Sequence, residues 1–281
     1  NLIGANAILG ISISFTKASA KYHNLALHEY LYRQINEIPL KNKQLSKKEE
    51  IHLFANIING GLHSGNSLQI QEFMIIPTFG RLKDKIRAIS EIYQTLKNLI
   101  AQNYGKSNTA VGDEGGFAPD ISKPHEALDL IMDAIKQTNY QNQISLALDA
   151  AASDFYDTKT KLYEIEKEKK LNYQELTEYY NDLIKKYPII SIEDPFAEDD
   201  FEGFAYFKKH VRRLDNKNPL TQTKTLTIVG DDLLVTNPNR IKIASEKKLC
   251  NSLLLKINQI GTLIESIEAY KLTTKNKWHT I

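Results

Sequence analysis

An α/β fold is predicted by three observations. Apolar runs of strand length recur along most of the chain, amphipathic patterns of helical period separate them, and successive runs end abruptly in a charged residue. In chain order, Ile8, Ile11, Phe15 and Ala18 recur at helical spacing, as do Leu27, Leu31 and Ile35, which predicts two helices turning around His23-Asn24 and stopped by Pro39. Residues 40–50 are rich in Lys and Gln without apolar period and read as a linker, with a domain boundary near residue 48 that divides 1–48 from 49–281.

Beyond it, residues 53–58, 68–76, 144–148, 189–192, 227–229 and 252–255 read as strands. Ile86, Ile89, Tyr93, Leu96 and Ile100 mark a long helix, and Ala127, Leu130, Ile131, Ala134 and Ile135 another. Further helices are expected over 174–186, 238–248 and 262–275. Asn237 before Pro238, and Thr262 with Glu265, supply start signals for the last two. The Lys/Glu run 164–170 reads as a solvated insertion. Strands followed by helices imply parallel pairing, in either an open doubly wound sheet or a (β/α) barrel, and periodicity alone does not choose. The absence of a Gly-x-Gly-x-x-Gly fingerprint argues against dinucleotide binding.

The 281 residues are 42% hydrophobic and 25% charged, enough for a real core. A net charge of +2 gives no global field to steer the chain toward nucleic acid or an anionic membrane. The single cysteine, Cys250, forms no internal disulfide, so a reducing, cytoplasmic setting is expected, and no apolar stretch is long enough to span a membrane. The chain does not begin with Met, and Ala5-Asn6-Ala7-Ile8-Leu9 reads as the inside of an element, so an earlier segment is expected.

In α/β folds reactive groups collect at the carboxyl ends of strands. Here four successive strands run into Asp149, Glu193-Asp194, Asp231-Asp232 and Lys256. Carboxylates converging on one rim repel unless a cation neutralises them, and an all-oxygen donor set favours Mg²⁺ over zinc. Neighbours on an extended strand face opposite ways, so one of each doubled acid should bind the ion. A desolvated Lys256 beside it could serve as a base toward an anionic substrate. Gly112-Asp113-Glu114-Gly115-Gly116 presents acids on a glycine turn, and Asn59-Gly60-Gly61-Leu62-His63 presents a histidine. Gln71-Glu72 interrupts an apolar strand, where a buried acid needs a partner.

Taken together, these segments resemble enolase. The resembling stretches are Gly4-Ala5-Asn6-Ala7-Ile8-Leu9-Gly10, Asn59-Gly60-Gly61-Leu62-His63, Gln71-Glu72-Phe73-Met74, Val111-Gly112-Asp113-Glu114-Gly115-Gly116, Leu148-Asp149-Ala150-Ala151, Ser191-Ile192-Glu193-Asp194-Pro195, Gly230-Asp231-Asp232-Leu233 and Lys256-Ile257-Asn258-Gln259-Ile260-Gly261-Thr262, in the family's order. The resemblance implies the helical end of an α+β N-terminal domain over 1–48, then an enolase-type (β/α) barrel over 49–281, incomplete at about six of eight strands. It implies dehydration of 2-phosphoglycerate to phosphoenolpyruvate with Mg²⁺, in a homodimer. It assigns Mg²⁺ to Asp149, Glu193 and Asp231, proton abstraction to Lys256, protonation of the leaving hydroxyl to Glu114, and substrate contacts to His63, Gln71, Glu72, Glu193 and Asp231. Leu62 stands where the family has a small polar residue. The family's seventh and eighth strands, with a phosphate-gripping loop and a second lysine, are expected to lie past Ile281, so the isolated chain is expected to be inactive. A related acid-sugar dehydratase or racemase is disfavoured by the Gly-Asp-Glu-Gly-Gly loop, and a non-catalytic binding protein of the same fold by retention of all five charged groups.

Overall fold

A computed structural model describes residues 4–39 and 51–281, with the side chain of His63 excepted. The linker and boundary expected at residues 40–50 lie outside the described residues. In chain order the elements are α1 (Ala5–Tyr22), α2 (Leu27–Ile35), β1 (Ala55–Asn59), β2 (Glu72–Pro77), α3 (Leu82–Tyr104), α4 (Pro124–Gln137), β3 (Ile144–Asp149), β4 (Tyr156–Asp157), β5 (Leu162–Glu166), β6 (Lys169–Leu171), α5 (Tyr173–Lys186), β7 (Ile189–Glu193), α6 (Phe201–His210), β8 (Thr227–Gly230), α7 (Pro238–Lys247), β9 (Ser252–Leu253), α8 (Ile257–Ile260), α9 (Leu263–Lys275) and β10 (His279–Thr280).

Two compact units emerge. The first gathers α1 and α2 with residues 234–247 and 251–281. Within it β9 and β10 pair in parallel, with Ser252 opposite His279 and Leu253 opposite Thr280. The Thr262 hydroxyl accepts from the Glu265 N–H at 3.2 Å to start α9, and Asn237 Oδ1 accepts from the Asn239 N–H at 2.9 Å at the start of α7, so both start signals operate.

The second unit spans residues 51–233 with 248–250. Its strands lie in the order β1-β2-β3-β7-β8. The β3, β7 and β8 strands pair in parallel, as expected of strand–helix–strand units, but β2 runs antiparallel to both β1 and β3. The expectation of parallel pairing throughout therefore fails at β2. The cause is local: β1 and β2 are joined by the short Gly60–Gln71 connection without a crossover helix, and so short a link reverses the chain. Ala88, Ile92, Leu96 and Ile100 of α3, which packs on β2 and α4, and Ala127, Ile131, Ala134 and Ile135 of α4 are all at most 1% exposed. Burying each large aliphatic side chain contributes about 1.5–3 kcal/mol.

The charged run 164–170, read as a solvated insertion, is largely exposed but ordered. It forms the β5–β6 hairpin of a separate antiparallel sheet, β4-β5-β6. Alternation places Tyr163 and Ile165 in the interior at 0% exposure while their charged neighbours face outward. Tyr163 packs edge-on against Phe196, which also meets Tyr180, Phe204 and Phe207. The Tyr163 hydroxyl donates to Asp200 Oδ2 at 2.6 Å and accepts from the Ala197 N–H at 3.1 Å. Asp200 in turn caps α6 through the Gly203 N–H at 2.9 Å. The hairpin thereby anchors the loop that follows β7.

Candidate active site and metal centre

Antiparallel β2 has a consequence for chemistry. Its first residue, Glu72, lies opposite Asp149, the last residue of β3, which in turn lies opposite Glu193, the last residue of β7. Directly paired residues share a face, so three acids form one row across three strands. Glu72 is therefore not inside a strand, as the sequence suggests, but at its mouth, half-buried beside the other two.

Asp149, Glu193, Asp194 and Asp231 are 6%, 7%, 2% and 7% exposed. Carboxylate oxygens of Asp149, Glu193 and Asp194 lie within 4.8 Å of one another, as do those of Asp194, Asp231 and Asp232. The expected set of Asp149, Glu193 and Asp231 thus falls across two overlapping groups that share Asp194. Burial, followed by the charges of Asp194 and Glu72, drives the Asp149 carboxyl well above its usual range. Burial and then Asp149 and Asp194 do the same to Glu193. Burial and the neighbouring Asp232 push Asp194 up to about 8.

The Gly112–Gly116 turn delivers Glu114 to this end of the sheet. Gly112 donates its N–H to the Gly116 carbonyl at 2.8 Å, with Gly115 in the left-handed region at φ 88°. A side chain at Gly116 would meet Asn59 backbone and amide atoms at 2.8 Å, so only glycine lets the turn sit against β1. Glu114 is exposed, yet held from two sides. Asn59 Nδ2 donates to its Oε2 at 2.7 Å and Gln71 Nε2 to its Oε1 at 3.3 Å. The same Gln71 nitrogen donates to Asp149 Oδ2 at 3.1 Å, so one amide bridges the turn acid and the carboxylate row.

In the sequence Asn59 reads only as the first residue of a glycine turn. Fully buried at the end of β1, it also accepts from the Gly116 N–H at 2.9 Å through Oδ1. Only the three-dimensional pairing of the Asn59 and Gly116 segments reveals it. His63 ends the short helical turn Gly61–His63, and its side chain lies outside the described residues. Leu62 is 78% exposed.

Lys256 belongs to the first unit, where it precedes α8, and its N–H donates to the Thr236 hydroxyl at 2.9 Å. The residue is exposed.

The donor set suits a hard divalent ion. It consists of carboxylates alone, the described residues add no His or Cys to either group, and burial together with mutual repulsion raises the proton affinity of Asp149, Glu193 and Asp194, which a bound cation would relieve. Among the described residues no helix is long and apolar enough to cross a membrane. The family model for the C-terminal TIM barrel domain of enolase matches residues 52–281.

Proposed function

The chain belongs to the enolase C-terminal TIM barrel family, and from that premise we propose that it carries the machinery for Mg²⁺-dependent dehydration of 2-phosphoglycerate to phosphoenolpyruvate, as part of a cytoplasmic, homodimeric glycolytic enzyme. In this reading residues 1–48 close an N-terminal domain and 49–281 belong to the barrel domain. The observation that supports it best is the Glu72–Asp149–Glu193 row joined through Gln71 to Glu114, because a dehydration needs an acid held beside a charge-stabilising centre.

Asp149, Glu193 and Asp231 would hold Mg²⁺, which supplies positive charge to the substrate carboxylate as its α-carbon loses a proton. Lys256, as a neutral amine, takes that proton, and the electron pair moves onto the carboxylate. Return of the pair forms the carbon–carbon double bond and expels the β-hydroxyl, to which Glu114 gives its proton, so that water leaves. A lysine base working beside Mg²⁺ is the known pattern of the enolase superfamily, and the role of Lys256 is carried over from that pattern. Asn59 and Gln71 fix the direction of the Glu114 carboxyl and Glu72 stands at one end of the acid row, while a substrate contact by His63 is carried over from the resemblance alone.

Isothermal titration with Mg²⁺, followed by 2-phosphoglycerate, tests the reading alongside ultraviolet detection of phosphoenolpyruvate. Wild type should bind the cation, with D149N weakened at least tenfold, and any turnover should be abolished by E114Q. Cation binding that survives D149N unchanged would refute it.

A further inference from the structure

Asp194 belongs to both carboxylate groups, so proximity alone makes it the natural ligand. Its hydrogen bonds say otherwise. Oδ2 accepts from the Asp232 N–H at 2.7 Å and the Asp231 N–H at 3.2 Å, while Oδ1 accepts from Asp231 at 3.3 Å and Leu233 at 3.4 Å. Three successive backbone amides are thus aimed at this one carboxyl, that of Asp231 shared between its two oxygens. Asp149 differs: each oxygen accepts one bond, Oδ1 from the Ala151 N–H at 3.0 Å and Oδ2 from Gln71 at 3.1 Å, which leaves a lone pair on each for a cation.

The backbone of Asp194 is equally committed. Its φ of 39° lies in the left-handed region, a strained conformation for a non-glycine residue. Its N–H donates to the Val229 carbonyl at 3.1 Å, and its carbonyl accepts from Ala152 at 3.2 Å. The residue is thereby tied to β8, to the segment after β3 and to the turn after β8.

We infer that Asp194 is a positioning residue and not a metal ligand: by gripping the amides of Asp231, Asp232 and Leu233 it holds the Asp231 carboxylate at the cation formed around Asp149 and Glu193. This rests on the cation reading above and divides the acids into those that meet the ion and one that aims a neighbour at it.

Mg²⁺ titration of wild type, D194A, D194N, D231A and the double variant D194A/D231A tests the assignment. D194A should weaken Mg²⁺ by about 10–100-fold, the usual effect of losing a group that orients a ligand. D194N retains one acceptor oxygen for the turn and should fall between D194A and wild type. In the D231A background D194A should cost less than about threefold further, since an aiming residue has nothing left to aim. Hydrogen exchange in chelator gives a second readout: the amides of residues 231–233 should exchange at least about tenfold faster in D194N, and no faster in D231A. A full additional loss in the double variant, or unchanged exchange in D194N, would overturn the inference. Wild type that binds no Mg²⁺ while keeping those amides protected would instead overturn the cation reading, with the grip on the turn intact.

Discussion

Removing every divalent cation and raising the pH should destabilise this protein, the reverse of the usual behaviour of carboxylate-rich chains. Asp149, Glu193 and Asp194 all have folded-state proton affinities raised by burial and by one another, Asp194 to about 8 against an ordinary value of 3.8. Between those limits the folded chain retains a proton that the unfolded chain has released. Stability from such a group is complete below the unfolded value and is lost as pH rises through the folded one, at about 1.4 kcal/mol per pH unit for each retained proton. From pH 5 to pH 7 a single shared proton therefore removes about 3 kcal/mol. For a chain of this size that is a fall of roughly 6–12 °C in melting temperature.

Glu37, Asp84 and Asp157 are pulled below their ordinary values by hydrogen bonds, so their contribution is lost only as pH falls below that window and does not compete. Thermal unfolding in chelator, with urea titration at pH 5, 6 and 7, measures the slope. Saturating Mg²⁺ should flatten or invert it, because the ion replaces the proton, and D194N should reduce it. Stability in chelator that is flat, or that rises, from pH 5 to pH 7 would refute the claim that these acids share an uncompensated buried site.

Two further outcomes follow from packing. Gly60→Ala drives a Cβ into the Ile70 carbonyl oxygen and to 2.6 Å from Leu68 Cβ, both on the far side of the connection that presents Gln71. Urea unfolding should show a loss of about 2–4 kcal/mol, and a loss below about 0.5 would mean that the connection relaxes freely. Tyr163→Phe deletes the donor to Asp200 and leaves the Ala197 N–H without its acceptor in a buried setting, which should cost about 2–4 kcal/mol in the same assay; a neutral result would show that another group takes over both bonds.

Periodicity locates the six apolar strands and all the long helices except α6, because strands of the sheet interior are continuous apolar runs and the helices bury one face. The Phe201–His210 helix escapes because its aromatic residues share it with a glycine and three basic residues at its end, which blur the stripe. Strand direction is not legible either. Nothing in Glu72–Pro77 itself distinguishes a parallel from an antiparallel strand, and the reversal is visible only in the shortness of the connection before it. For the site, the acids at strand ends can be read from the abrupt change in polarity after Leu148, Ile192 and Gly230. The doubled acids also hint at divided labour between neighbours. What the chain does not display is which neighbour serves which purpose, since the hydrogen bonds of Asp194 run to a turn at residues 231–233 and those of Asn59 to Glu114 and Gly116. The Tyr163 hairpin is likewise concealed by its charged outer face.

The reversed course of β2 also redistributes where change can be absorbed. In an all-parallel α/β unit the connection leaving each strand toward its helix shapes substrate choice, and the one entering it serves durability. At β2 those duties exchange places: residues 78–81, which leave it, sit roughly 17–20 Å from the acids at the other end of a six-residue strand, while residues 60–71, which enter it, abut them. Libraries aimed at altered selectivity belong in 60–71, and grafted tags or lengthened links belong in 78–81.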